Sequence, residues 1–417
     1  MKSRILNKIS FALILLIAFQ NCSNNDDKGS EETITKCENG FAGIYPCNGY
    51  DLLANIPTSR LTSDVSVTLV SVNGNDIWGW TDALNGNEYA IVCTTNSAAF
   101  VNITDPINPI ILGRIDTETV DNSWRDVKVY KDHAFIVADN AGAHGMQVFD
   151  LTRLRNVANP PEVFTPDFVY DGIGSCHNIF INEDEGVAYL VGCDVFSGGP
   201  VFIDISNPTN PTQLGAYAND GYSHDAQVVT YNGPDTDYTG KQIYIGSNGN
   251  RFGTNKVVIL DVTDKTNPAF IADVSYPNPG FAHQGWFTED MTHFIFGDEL
   301  DETNNGTNTR TLVFNLTDLD APVLSSTYLG PTLAVDHNGY VKRDTYYLAN
   351  YRAGLRVLDI SNISAPTNSM IEIGFFDTYP DNDDANFDGV WSVYPYFPSG
   401  NIVINDINRG LFIIKKS

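Results

Sequence analysis

One phrase returns along this chain at intervals of about 50 residues, and it constrains the fold more than any other feature. Each copy is an apolar strand, an Asp or Asn, one apolar residue and a Ser or Thr, and the fuller copies continue into a turn containing Pro. β-Branched and aromatic residues favour a half-buried strand, and Pro ends its ladder of backbone hydrogen bonds. Copies begin at Phe100, Val148, Phe202, Ile259, Val313 and Val357, and a shortened one begins at Leu411. We assign the polar residues of the phrase a structural role.

Each repeat also contains further short strands around this phrase. Residues 177–181 and 187–191 are consistent with a hairpin before it, and residues 213–217 with one strand after it. Four short strands per unit, with turns between them and no sustained helical period, are typical of a propeller blade. The sequence therefore predicts an all-β fold, a seven-bladed β-propeller over residues 65–417, with an open solenoid as the alternative.

The two ends of the repeat region complement each other. The last unit has only three strands, whereas Val67–Val72 resembles a strand without a blade of its own. Pairing this strand with the last unit would close the ring and cover an exposed sheet edge. We therefore predict that the propeller is closed by an N-terminal strand in its last blade.

The first residues have the pattern of an export signal. A positive segment with Lys2 and Arg4 precedes the apolar residues 9–19, a run too short to span a bilayer. Cys22 follows, although Phe19-Gln20-Asn21 departs from the usual lipoprotein signal. We predict a lipoprotein signal peptide over 1–21, lipidation of Cys22 and an acidic, flexible tether over 22–36. This places the protein at the outer membrane or cell surface; the alternative is a soluble secreted protein.

Export makes disulfide bonds feasible. Cys37 and Cys47 bracket a short loop in an N-terminal extension over 37–64, so a local bridge is expected there. Cys176 and Cys193 lie symmetrically about a turn, where a bridge across the hairpin is geometrically allowed. Cys93 remains as a buried, apolar residue.

The charge balance excludes two classes of partner. The chain has 24 Lys and Arg against 51 Asp and Glu, a formal net charge of −27. Nucleic acid and anionic membrane surfaces are therefore poor partners, and membrane contact is expected through the lipid alone. Acidic side chains also hold divalent cations, but most of these residues are interpreted as solvated surface charge.

The repeat phrase occurs together with four other segments in a fixed order: residues 37–47, 175–179, 388–395 and 410–411. Together they resemble the choice-of-anchor B family of LVIVD-repeat proteins, over roughly residues 37–417. The resemblance implies an exported repeat domain, in a family whose members use different surface anchors; here the anchor would be the N-terminal lipid. It implies no particular reaction.

Four histidines occupy one register of the repeat, just before the innermost strand of each blade: His177, His224, His283 and His337. The same alignment places Asp76, Arg125 and Gly389 at this position in the other blades. Innermost strands line the channel of a propeller, so the imidazoles would face one rim. There they would bind a transition metal, such as Zn, Cu, Ni or Fe, or act as acid–base groups. The alternative is that each imidazole forms a structural hydrogen bond to the adjacent blade.

A second candidate site resembles the opening of a calcium loop. Asp384, Asn386 and Asp388 alternate before Gly389, a spacing that turns successive oxygens towards a hard cation. The twelfth position is Pro395, so the bidentate Glu of an EF-hand is missing. The alternative is a solvated acidic loop. A second acidic loop, at residues 298–302, is a weaker candidate.

Catalytic motifs are missing from the sequence. It contains no H-E-x-x-H, P-loop, G-x-S-x-G or dinucleotide-binding fingerprint. The tryptophans, near the starts of the repeats, either pack between blades or line a ligand-binding rim. We therefore expect non-enzymatic recognition of a protein or a glycan at the cell envelope. The alternative is a metal-dependent enzyme centred on the four histidines.

Overall fold

A computed structural model describes residues 34–62, 72–250 and 253–417 of the chain. The predicted leader, Cys22 and most of the tether lie outside these residues. Within them, seven antiparallel sheets of at least four strands follow one another along the chain. Each innermost strand contacts the innermost strands of its two neighbours, and the last contacts the first, so the sheets form a closed ring. The fold is the predicted seven-bladed β-propeller, and the open solenoid is excluded.

The blades are numbered here by the order of their innermost strands. From blade 1 to blade 7, the innermost strands are Gly74–Thr81, Arg125–Tyr130, Asn178–Asn182, Asp225–Thr230, Ala282–Phe287, Gly339–Lys342 and Val390–Tyr394. The second strands are Glu88–Thr94, His133–Ala138, Val187–Val191, Gln242–Asn248, His293–Asp298, Thr345–Ala349 and Asn401–Asp406. The third strands are Ser97–Asn102, Met146–Asp150, Val201–Asp204, Lys256–Asp261, Arg310–Asn315, Leu355–Asp359 and Gly410–Lys416. The outer strands are Ile110–Asp116, Phe168–Tyr170, Thr212–Ala216, Ala269–Val274, Val323–Leu329, Ile371–Phe376 and Tyr50–Ile56.

A few elements lie outside this scheme. Glu162–Phe164 adds a parallel strand to blade 1, and Tyr45–Asn48 with Phe41–Ala42 extends blade 6. The described helices are short: the α-helices Thr58–Leu61 and Asp301–Asn305, and the 3-10 helices Leu151–Asn156, Phe196–Gly198 and Thr236–Tyr238. No helix among the described residues has the length and apolar character needed to cross a membrane.

The strand that closes the ring is N-terminal, as predicted, but it is a different segment. Tyr50–Ile56, rather than Val67–Val72, pairs antiparallel with Gly410–Lys416 in blade 7. The chain runs along the outer edge of blade 6 at Tyr45–Asn48, turns at Gly49 with φ of 76°, and enters blade 7 directly. The open edge is therefore already paired when the chain leaves Ile56. Residues 67–71 lie outside the described part.

The segment 37–64, treated above as an extension, thus supplies strands to blades 6 and 7. A disulfide bond joins Cys37 to Cys47, with an S–S distance of 1.99 Å, at the end of this added hairpin. A second joins Cys176 to Cys193, with an S–S distance of 1.98 Å, across the first hairpin of blade 3. Cys93 is buried and unbonded.

The repeat phrase forms the third strand of its blade and the turn that follows. In six blades the Asp or Asn side chain accepts a hydrogen bond from the backbone N–H two residues later, over 2.8–2.9 Å. This local bond ends the strand on the same face each time. The core lies between adjacent blades; Phe100 of blade 1, for example, stacks on Phe149 of blade 2 with centroids 4.6 Å apart.

Candidate functional site

The four histidines of the repeat register lie side by side on one face of the propeller, at the mouth of the channel. Neighbouring ring centroids are 4.2 Å apart from His177 to His224, 4.3 Å from His224 to His283 and 4.2 Å from His283 to His337. The row crosses four consecutive blades because each histidine lies within two residues of the start of an innermost strand. We call these side chains the imidazole row.

Hydrogen bonds fix the row at both ends and in the middle. The Nδ1 atom of His177 lies 2.9 Å from a carboxylate oxygen of Asp139, in blade 2. Nδ1 of His224 lies 3.0 Å from the carbonyl oxygen of His283, and Nδ1 of His337 lies 2.5 Å from that of Trp391. Each of these bonds reaches the adjacent blade, as the structural alternative required. They also leave the Nε2 atoms available to a ligand.

His283 differs from the other three. Its side chain is buried, and its Nδ1 atom has no hydrogen-bond partner. A buried polar atom without a partner costs free energy. This imidazole is therefore held by packing between its neighbours rather than by hydrogen bonds to Nδ1.

Glu299 completes a group of three ligand side chains. Its two carboxylate oxygens lie 3.8 Å from Nε2 of His283 and 3.8 Å from Nε2 of His337. The ligand atoms of these three residues all lie within 4.8 Å of one another. The Tyr351 hydroxyl donates a 2.7 Å hydrogen bond to Glu299 and so orients the carboxylate. Two imidazoles and one carboxylate form a recognised ligand set for transition metals.

Glu299 is a member of the group that the repeat register of the histidines does not predict. Glu299 follows the second strand of blade 5, whereas the histidines lie at the starts of first strands, so no single register contains both. The available signal was the acidic loop at residues 298–302. It lies next to the imidazole row because second strands end on the face where first strands begin.

The histidines of the row are neutral where burial is strongest. Burial lowers the pKa of His224 and His283 well below the usual value, and the neighbouring imidazoles lower it further. Burial also lowers the pKa of His337 to about 3. Neutral imidazole is the form that binds a metal ion, so these three side chains require no deprotonation before binding at neutral pH.

A pocket of about 320 Å³ opens beside the row. Its walls include Trp124 and Phe387, each 40% exposed, together with Trp391 and the Tyr351–Glu299 pair. Trp124 comes from blade 2, and Trp391 from blade 7. The pocket therefore continues the channel mouth across the blades that contribute no histidine to the row.

In the other blades, Arg125 keeps the predicted register and Asp76 does not. Arg125 begins the innermost strand of blade 2 and is buried, with its guanidinium 2.9 Å from Nε2 of His144. Asp76 lies one position further along. It accepts a hydrogen bond from the next backbone N–H, as Asp126 and Asp225 do. Asp76 thus corresponds to Asp126 and Asp225, and Asn75 holds the position of the histidines in blade 1.

Asp76, Asp126 and Asp225 lie deeper in the channel. The Lys128 ammonium provides a positive charge near these three carboxyl groups. The Lys128 ammonium is 2.6 Å from Asp126. Burial raises the pKa of Asp76 to about 7, and the Asp126 charge raises it further, against the lowering effect of Lys128. Burial also raises the pKa of Asp225 well above the usual value. The channel interior thus has more carboxyl groups than cations.

The opposite mouth of the channel holds a second pocket, of about 340 Å³. Five half-buried rings line it: Trp78, Phe180, Trp286, Tyr394 and Tyr396. Four of the five tryptophans therefore line one of the two pockets, and Trp80 packs in the core. Trp78 also packs against Tyr394, so both interpretations of the tryptophans, packing and a ligand-binding rim, stay open.

The predicted calcium loop makes local contacts. Asp388 forms an ion pair with Arg352 at 2.5 Å, and the Asn386 side chain accepts a hydrogen bond from the next backbone N–H at 2.8 Å. Asp384 is exposed. The positive charge at Asp388 is thus supplied by Arg352, and calcium binding by this loop stays a prediction.

Comparison with known proteins supports the fold and the repeat. Residues 195–219 and 341–378 match the family model of the LVIVD repeat. Kuenenia stuttgartiensis hydrazine synthase has a similar structure, with a TM-score of 0.55 and 11% identity over 79% of this chain and 92% of that one. A protein from Lactobacillus plantarum has a TM-score of 0.50 and 12% identity over 80% of this chain and 87% of that one.

No curated protein sequence matches this chain. At such low identities, the structural likeness defines the fold and not the activity. The fold and the matches together define the class: a seven-bladed β-propeller built from a repeated unit. Within this class, the chain carries LVIVD repeats at the two matched segments.

Proposed function

We propose that this chain is a lipoprotein of the outer membrane or cell surface, anchored through Cys22, whose propeller binds a protein or a glycan without catalysing a reaction. The binding site is the pocket beside the imidazole row. The observation that carries this proposal is its aromatic rim, where Trp124 and Phe387 are each 40% exposed. Exposed aromatic side chains at a concave site mark a recognition surface, because their burial on binding is favourable.

The shape of the pocket suits a small, flat group. A volume of about 320 Å³ accommodates a sugar ring or one large side chain of a protein loop. Trp124 and Phe387 offer apolar faces, while Glu299 and Ser123 offer hydrogen-bonding groups between them. Flat apolar faces and polar edges are the two features that a sugar ring presents to its receptor.

A double variant tests the binding site. Trp124→Ala/Phe387→Ala should lose at least about tenfold in affinity for any glycan that an array identifies with the wild-type protein, since the rim provides most of the contact area. Isothermal titration calorimetry measures the loss. Phe270→Ala, which removes an aromatic that is 50% exposed on the outer strand of blade 4, is the matched control. Equal loss in the control, or none in the double variant, would contradict this site.

The second candidate function is a metal-dependent enzyme. It is favoured by one observation: the ligand atoms of His283, His337 and Glu299 lie within 4.8 Å of one another next to an open pocket. A zinc, copper, nickel or iron ion held there would act as a Lewis acid on a bound ligand. Tyr351 and Trp391 would orient Glu299 and His337 respectively through their hydrogen bonds.

Metal analysis separates the two candidates. After reconstitution with each metal and gel filtration, the wild-type protein should retain about one ion per chain, as measured by inductively coupled plasma mass spectrometry. His283→Ala/His337→Ala should retain none, as should the His224→Ala/His283→Ala pair if His224 also coordinates. His177→Ala is the matched control, because that imidazole pairs with Asp139 at the far end of the row. No retained metal in the wild-type protein would exclude the enzyme candidate.

A further inference from the structure

The pocket at the opposite channel mouth, called here the aromatic cage, is unexplained by either proposed function. Its rings are held by one another. Trp78 packs edge-on against Tyr394 with centroids 5.1 Å apart, and Phe180 packs against Trp286 at 5.7 Å. The Tyr396 hydroxyl donates a 2.9 Å hydrogen bond to a backbone carbonyl. All five rings are half-buried, so each keeps an accessible surface in a fixed orientation.

The cage already stabilises one ammonium group. The Lys128 nitrogen lies 4.6 Å from the centre of the Trp78 ring, within the range of a cation–π contact. Its carboxylate partner, Asp126, is 2.6 Å away and is not among the residues that line the pocket. A cation therefore has favourable surroundings at the inner wall of this pocket, where aromatic faces and channel carboxyl groups meet.

The charge around the cage favours a further cation. Below it, the channel holds three carboxyl groups, of Asp76, Asp126 and Asp225, against Lys128. At the mouth, the exposed Glu183 lines the pocket. Burial raises the pKa of Asp76 to about 7 and that of Asp225 well above the usual value, so it favours the neutral forms of these two carboxyl groups. A cation bound in the cage would be attracted by Glu183 at the mouth and would favour the ionised forms of the two buried carboxyl groups.

We propose that the aromatic cage binds an organic ammonium ligand, a quaternary ammonium group in particular. A quaternary group is weakly hydrated, so its transfer from water to aromatic faces costs little, and its charge is attracted to the ring faces. The pocket of about 340 Å³ holds such a head group with room for a short chain. An inorganic cation is less suited, because the wall presents rings rather than a set of oxygen ligands.

The proposal goes beyond the binding site proposed above, since the two pockets lie at opposite mouths of the channel. Trp286 lines the cage, and Trp391 lines the pocket at the other mouth. Variants at one mouth therefore serve as controls for the other, and failure of one proposal leaves the other testable.

The test is calorimetric titration of the full propeller with choline and with 3,3-dimethylbutan-1-ol, its neutral isostere of nearly the same shape. Choline should bind, and the neutral alcohol should bind at least about tenfold more weakly, since it lacks the charge. Equal affinity for the two probes, or no binding of choline, would overturn the proposal.

Two variants locate the site. Trp286→Ala should weaken choline binding at least about tenfold, and Glu183→Gln should weaken it several-fold without changing the thermal unfolding temperature, because Glu183 is exposed. Trp391→Ala, at the other mouth, is the matched control and should leave choline affinity unchanged. If only the control variant lost binding, choline would be bound at the imidazole-row mouth and the cage proposal would be wrong.

Discussion

At the scale of single residues, the imidazole row and its surroundings depend on buried groups that stay uncharged. His144 is the clearest case outside the proposed ligand set. Its ring is buried, Nε2 lies 2.9 Å from the Arg125 guanidinium, and Nδ1 lies 3.0 Å from the Gly145 carbonyl oxygen. The guanidinium always donates, so Nε2 must accept and the ring must be neutral. Burial, with the adjacent Arg125 charge, lowers the pKa of His144 to about 4.

This predicts a loss of stability in acid. Between pH 6.5 and 4, the unfolded chain gains a proton at this histidine that the folded chain does not, so the free energy of unfolding falls as pH falls. His144→Gln keeps an acceptor for Arg125 and cannot titrate. Between pH 7 and pH 4, the free energy of unfolding of this variant should fall by less than that of the wild-type protein. The difference between the two changes should be up to about 3 kcal/mol.

Urea unfolding at the two pH values measures this difference. His133→Gln is the matched control in the same blade, because His133 lies at the exposed end of its strand and makes no contact with Arg125. A wild-type acid profile that His144→Gln leaves unchanged would show that this histidine is protonated or accessible in the folded protein.

At the scale of elements, the outer strand of blade 7 is the point where the ring depends on distant parts of the chain. Tyr50–Ile56 pairs with Gly410–Lys416, so the N-terminal and C-terminal parts of the propeller are hydrogen-bonded in one sheet. Leu53 and Ile56 are buried against blade 7, and Leu61 follows them into the same core. Without this strand, blade 7 would expose both an apolar surface and an open edge.

Two truncations separate the strand from the disulfide hairpin before it. A chain beginning at Gly49 keeps the closing strand and should retain cooperative unfolding, whereas one beginning at Thr58 should unfold at a temperature at least about 10 °C lower or associate through the open edge. Differential scanning calorimetry and gel filtration measure these outcomes. Equal stability of the two chains would mean that the segment 67–72 replaces the missing strand, as the sequence alone suggested.

At the scale of the whole molecule, the proposed function needs the propeller to be held at a membrane while both channel mouths remain accessible. The polar residues that follow Cys22 would provide that separation as a tether. A single acyl chain binds membranes only weakly, so stable anchoring requires the several chains of a mature lipoprotein.

Cys22→Ser should therefore move the protein from the membrane fraction to the soluble fraction of the envelope or medium, because no lipid can be attached. Fractionation followed by immunoblotting measures the distribution, and incorporation of labelled palmitate measures lipidation. Cys93→Ser, which changes a buried cysteine unable to carry an anchor, is the control. A wild-type protein that is soluble and unlabelled would support the secreted alternative and remove the anchoring part of the proposal.

The repeat itself determined most of the fold. Because each copy of the phrase carries its own turn, with an Asp or Asn side chain bonded to the backbone two residues later, strand order and blade number follow from local chemistry. The same repetition placed four histidines in one register. Asp76 was placed one residue away from its position in the structure, where it matches Asp126 and Asp225 rather than the histidines.

The tertiary structure determines the contacts between strands and blades that the repeat register cannot predict. Glu299 joins His283 and His337 because the end of one strand lies beside the start of another, a proximity that depends on how hairpins pack and not on spacing along the chain. The closing strand is likewise determined by the path of the chain past blade 6. The two aromatic pockets depend on which rings converge at each channel mouth. Sequence periodicity fixes local strands and turns through short-range bonds, whereas a site assembled from several blades exists only once the ring has closed.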